Sequence, residues 1–177
     1  LEDEGHLRCI ASVGAFVRSV PSTKKAVQNT LAFVGADLGS GFQGAIAQGA
    51  QRACQEQGWA MQVLDAHFDA DLEARNITSL PDSGVRGAIL LPPVTDQHTV
   101  EMLFKIHSAA FPLVLVDQHV TGLRADLVSS DHSAGATLAA MHFLERGHSQ
   151  ILMLTHSPLP SSSITARVQS YERALRR

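Results

Sequence analysis

The chain has 177 residues, enough for one sizeable core or for one domain and part of another. Its 45% hydrophobic and 18% charged residues and its net charge of -3 argue against disorder and against a surface devoted to neutralising phosphates. No apolar run approaches the ~18 residues of a membrane span, and no basic stretch followed by an apolar run marks an export signal, so a cytoplasmic α/β protein is expected. Cys9 and Cys54 lie far apart and share no metal spacing with histidine, which reads as two reduced thiols.

From Thr30 onward, short aliphatic runs alternate with segments of helical period, and Gly, Pro, Asp or Ser marks each junction. The first strand reads Leu31 to Gly35. The helix after it places Phe42, Ile46, Gly49, Ala50 and Ala53 on one face and ends at Gly58. A strand over Ala60 to Leu64, a helix from about Ala70 to Leu80 and a strand from Gly87 to Leu91, stopped by Pro92 and Pro93, continue the rhythm.

A helix from about Asp96 to Ala109 leads to the apolar strand Leu113 to Val116, and Asp117 falls where that strand ends. After a short strand from Asp126 to Ser129, Asp131 is placed to cap a helix whose inner face carries Ala134, Leu138, Met141 and Leu144. That helix ends at Gly147. Gln150 to Leu154 reads as another strand, and a loop then enters a last helix containing Arg167, Tyr171 and Leu175. The fold class expected is therefore a parallel sheet flanked by helices. Its ligand crevice should lie outside the carboxyl ends of the strands, where Asp37, Pro92, Asp117 and the Ser157 to Ser163 loop fall.

Six pieces of this pattern, in order, resemble the lactose-repressor and galactose-repressor family. They are the strand entering Gly35 to Phe42, the segments Val85 to Leu90 and Pro112 to Asp117, and Asp131 with Gly135. Phe143-Leu144-Glu145-Arg146-Gly147-His148 with Ile151 is the fifth, and Ser161 to Leu175 the last. The resemblance implies a sensor domain of the periplasmic-binding-protein type, with residues 30–130 as its N-terminal lobe and 131–177 as the start of its C-terminal lobe. Residues 1–18, with Leu1 to Arg8 followed by Gly14-Ala15-Phe16-Val17, resemble the end of a gluconate-repressor-type winged helix, although Ser12 stands where that type has a second glycine. Residues 19–29 would be the linker. The chain begins on Leu1 and stops before a second lobe could be complete, so a piece of a longer protein is expected.

The resemblance implies a transcriptional repressor that binds a sugar-like effector, acts as a homodimer and meets operator DNA only through parts of the full-length protein outside this chain. Arg167 is carried onto the effector-bonding position, where its fork of donors suits a diol; the alternative is a surface arginine. Asp117 is either a hydroxyl acceptor or a turn former. Asp37, Ser40 and Phe42 lie in the first strand-to-helix loop, and Phe42 serves either ligand stacking or the buried helix face. Ser163 is a further candidate, or simply loop.

His148 follows the helix-ending Gly147 and is read as structural. Neither the remaining histidines nor any other group shows metal-ligand spacing, and the glycine-rich stretch from Gly35 to Gly44 lacks both the phosphate-loop lysine and the dinucleotide fingerprint. No Gly-x-Ser-x-Gly elbow is present. Neither catalysis nor a cofactor is expected. Two other classes fit the same pattern: an exported sugar-binding protein of a transporter, which would carry an export signal in place of a wing, and a small α/β enzyme, which would turn substrate over.

Overall fold

The computed structural model describes residues 7–10 and 14–17 as backbone, and residues 29–92, 97–155 and 161–176. The linker, the start at Asp96, the wing tip around Ser12 and the loop at 156–160 lie outside the described residues. Strands β1 (Leu7–Ile10) and β2 (Gly14–Val17) form an antiparallel hairpin. Then come β3 (Thr30–Gly35), α1 (Gly41–Glu56), β4 (Ala60–Asp65), α2 (Ala70–Ser79) and a 3-10 turn at Leu80–Asp82. They are followed by β5 (Ala88–Leu90), α3 (Gln97–Ser108), β6 (Leu113–Val116), β7 (Asp126–Val128), α4 (His132–Glu145) and α5 (Ser162–Leu175).

The five strands from β3 to β7 form one parallel sheet in the order β4-β3-β5-β6-β7. Register explains the core. Ala32, Ala88 and Leu113 lie side by side, as do Val34, Leu90 and Leu115, so these rows share one face of the pleat. Ile77 and Leu80, with Leu103 and Ile106 of α3, cover that face and are all nearly or fully buried. On the other face Phe33 is fully buried, and α1 lies against β3 and β4. A parallel strand covered on both faces must be apolar at consecutive positions, which is why β3 and β6 read as unbroken aliphatic runs.

Three expectations need correction. Of the face expected for α1, Phe42, Gly49 and Ala53 are exposed; the buried positions are Ala47 and Cys54, with Gln43, Ile46 and Ala50 half-buried. The real stripe is rotated because small residues lie all round this helix, and Phe42 sits at its exposed first turn. In α4, Met141 and Leu144 are half-buried as expected, but Ala134 and Leu138 are exposed, and Ala140 is the buried residue. That helix is apolar on most of its surface, so periodicity could not select the face that meets α5.

Residues 150–154 form no strand. Leu152 and Leu154 are 90% and 93% exposed, and the segment is tied down by Tyr171, whose hydroxyl donates to the Ile151 carbonyl at 2.6 Å. A β-strand exists only with a neighbour to share its backbone bonds, and none of the described residues supplies one here.

Helix ends follow the sequence closely. The Asp131 carboxylate accepts from the Ala134 amide at 2.8 Å, and Gly147 at φ +83° closes α4, with the His148 amide donating to the Phe143 carbonyl at 3.1 Å. The His148 ring lies edge-on to Phe143, 5.6 Å away. We expect Asp131→Ala to lower stability by about 1 kcal/mol through the lost cap, measured by urea unfolding. An unchanged midpoint would mean that α4 does not depend on this carboxylate.

Candidate functional site

The carboxyl ends of the strands turn into loops that organise themselves before they can meet anything else. In the first of them the Asp37 carboxylate accepts from the Gly39 amide at 3.1 Å, and its carbonyl accepts from the Ser40 hydroxyl at 2.8 Å. Ser40 is the N-cap of α1, accepting from the Gln43 amide at 3.3 Å. Gln43 returns the bond, its side-chain oxygen accepting from the Asp37 amide at 3.1 Å. Asp37 and Ser40 thus shape this loop, while Phe42 stands 56% exposed at the start of α1. Phe42 therefore does not pack in the core formed by the described residues.

The loop is tight because Gly44 lets the helix approach it: a Cβ there would lie 2.7 Å from the Leu38 carbonyl oxygen. Since that neighbour is backbone, Gly44→Ala should displace the loop and cost roughly 1–3 kcal/mol. A denaturation midpoint equal to that of the unaltered chain would overturn this. The next loop is tied to the first, with the Phe68 amide donating to the Ala36 carbonyl at 2.7 Å. His67 and Phe68 both have left-handed backbone (φ +50° and +61°), and the Phe68 ring is 76% exposed.

A second group of residues gathers where β6 ends. Asp117 has φ +68°, a conformation that aspartate tolerates better than most residues, and its amide donates to the Val128 carbonyl at 2.9 Å. The turn aims its carboxylate at the first residue of α4: Oδ1 lies 3.0 Å from His132 Nε2. On the other side of the ring, His132 Nδ1 lies 3.2 Å from Arg167 Nε and 3.0 Å from Arg167 Nη2. The three side chains form a line from the end of a sheet strand, through the start of α4, to the second turn of α5.

Beside this line, Gln118 fastens the sheet to α5. Its buried amide nitrogen donates to the Pro92 carbonyl at 2.7 Å, and its oxygen accepts from the Ser161 hydroxyl at 2.5 Å. Ser161 caps α5, accepting from the Ile164 amide at 3.5 Å, and shares a 2.9 Å bond with Ser163, which is buried. The His119 amide donates to Ser162 Oγ at 3.0 Å. Asp117, His132, Asp131, Ser162 and Ser163 line an open cavity of about 240 Å³ whose wall also includes Ser129, Ser130 and Ser133.

Of the six residues singled out from sequence, then, Asp117 and Ser163 line one cavity and Arg167 reaches Asp117 through His132, whereas Asp37, Ser40 and Phe42 belong to the first loop and do not line it. Sequence reasoning missed Gln118 and His132. Gln118 was signalled only by being polar directly after a strand end, and His132 only by following an N-cap. Among the described residues no group of three or more His, Cys, Asp or Glu could hold a metal ion, and no helix is long and apolar enough to cross a membrane.

Comparison with known proteins agrees with this architecture. The family model described as "Periplasmic binding protein domain" matches residues 31–177. The chain is 30% identical over 142 residues to the HTH-type transcriptional regulator PtxS of Pseudomonas aeruginosa, covering 80% of this chain and 41% of that protein. It is 26% identical over 136 residues to the Ribose operon repressor of Escherichia coli, covering 77% of this chain and 40% of that protein. The chain thus spans about two fifths of the length of these curated relatives. A LacI family transcriptional regulator from Enterococcus faecium, solved with bound ribose, superposes with a TM-score of 0.67 at 21% identity, covering 84% of this chain and 52% of that one. Its curated relatives are transcriptional regulators and repressors, and the chain belongs to the periplasmic binding protein domain family.

Proposed function

We propose that this chain is the effector-sensing part of a transcriptional repressor and that it binds a small sugar or sugar derivative in the cavity at the end of β6. The observation that carries the reading is the line Asp117, His132, Arg167 beside a wall of serine hydroxyls. Such a wall offers acceptors and donors at close spacing, which suits a polyhydroxy ligand, and two carboxylates in the same lining disfavour a phosphorylated one. The bound ribose in the Enterococcus faecium relative supports the same ligand class.

In this reading residues 30–130 are one lobe, residues 131–177 begin a second, and the β1–β2 hairpin is the wing of a DNA-binding domain. Effector binding between lobes would change the geometry of a cytoplasmic homodimer and so its affinity for operator DNA, through coupling between two sites. In this reading Asp117 and Ser163 in the cavity, with Arg167 beside it, contribute the ligand contacts, and Asp37, Ser40 and Phe42 shape the separate first loop. No catalytic step is part of this role.

The test is a thermal-shift screen of the chain and of its full-length parent with D-ribose, other pentoses and hexoses. A cognate effector at about a hundred times its dissociation constant should stabilise by about 2.7 kcal/mol. If no sugar raises the melting temperature of the full-length protein, the sensing reading fails.

A further inference from the structure

His132 is held on both ring nitrogens, and the two partners fix its chemistry. Arg167 has donors only, and it approaches Nδ1 with both Nε and Nη2, so Nδ1 accepts. The ring proton therefore sits on Nε2, donated to Asp117 Oδ1 at 3.0 Å with the Asp117 carbonyl oxygen 3.3 Å away. The imidazole in this arrangement is neutral. Its side chain is 8% exposed and that of Asp117 is 14% exposed, so water competes weakly for these bonds. Arg167 itself is exposed, which leaves the rest of its guanidinium accessible.

We infer that His132 is the positioning residue of this site. In its neutral Nε2-protonated form it holds the Arg167 guanidinium in line with Asp117, setting a cationic donor and an anionic acceptor a fixed span apart. Only the identity of the ligand, a neutral compound with adjacent hydroxyls, rests on the sensing reading above. The holding of Arg167 does not. Arginine loses rotamer freedom when it binds, so a guanidinium already oriented loses less on meeting a ligand.

The charged groups around the imidazole are the Asp117 carboxylate from the end of β6, Arg167 from α5 and Asp131 from the start of its own helix. A bare Nδ1 is the form of the ring to which Arg167 can donate.

Nitrogen-15 spectra of imidazole and guanidinium groups in the full chain test this. His132 should show a protonated Nε2 and a bare Nδ1, and Arg167 Nε–H should exchange roughly tenfold more slowly than other exposed arginines under the same conditions, the factor one hydrogen bond supplies. His132→Asn puts an amide oxygen where Nδ1 stands and should keep Arg167 protected. His132→Gln reproduces the Nε2 side alone and should lose the protection.

Arg167 exchange that matches other arginines in the unaltered chain, or protection that survives His132→Gln, would each overturn the inference. A protected Arg167 in a protein that responds to neither D-ribose nor any other sugar supports the positioning and counts against the sensing reading alone.

Discussion

Leu90→Ala is expected to lower the unfolding free energy by about 2–5 kcal/mol, a large share of the roughly 5–15 kcal/mol that holds a domain together. Leu90 is 1% exposed on the middle strand of the sheet, flanked in register by Val34 and Leu115. Ile77, Leu80, Leu103 and Ile106 belong to the same core cluster. Truncation removes apolar contact and leaves a hole, and β5 cannot slide in to fill it because β3 and β6 hold its backbone from both sides. Urea unfolding monitored by circular dichroism measures the loss. Leu152→Ala is the control: the same residue type at 90% exposure should change stability by under about 0.5 kcal/mol. Equal effects at the two positions would mean that residues 150–154 are packed in solution.

Arg167→Ala is expected to abolish or greatly weaken sugar binding while leaving the fold in place. A hydrogen bond to a charged group contributes about 1.5–3 kcal/mol, so the loss of one or two such bonds should weaken affinity by roughly ten- to several-hundred-fold. Stability should fall by under about 1 kcal/mol, because the guanidinium is exposed and its bonds to His132 are replaceable by water from the cavity. Calorimetry of the variant with the sugar that stabilises the parent reads the first quantity and urea unfolding the second. Full retention of affinity would remove Arg167 from the site. Arg167→Lys should recover only part of the loss, since one ammonium cannot bond the ring nitrogen and a ligand hydroxyl in the same geometry.

Local rules were enough for most of the elements. Asp131 followed by an apolar helix and Gly147 at its end are short-range signals, and each marks the boundary it was expected to mark. The aliphatic runs at Leu31 and Leu113 likewise read as buried parallel strands, because only a strand covered on both faces tolerates consecutive apolar residues. Faces were harder. In α1 small residues occur on every side, and in α4 apolar ones do, so the pattern contained no preferred direction. The strand expected at Gln150 to Leu154 had the right composition, but strand formation requires a partner that local sequence does not encode.

The site divides in the same way. Asp117 and Arg167 could be marked in advance because one follows a strand and the other lies on a helix with family-like spacing. That His132 stands between them was invisible, since residues 117, 132 and 167 are brought together only when the sheet, α4 and α5 assemble. The sequence by itself determined the alternation of strands and helices, their caps and the parallel sheet, through short-range periodicity and turn chemistry. Tertiary structure alone decided which helix faces are buried, and that a histidine should stand between a strand-end carboxylate and a helix arginine. Those outcomes depend on contacts between residues tens of positions apart, which no local pattern specifies.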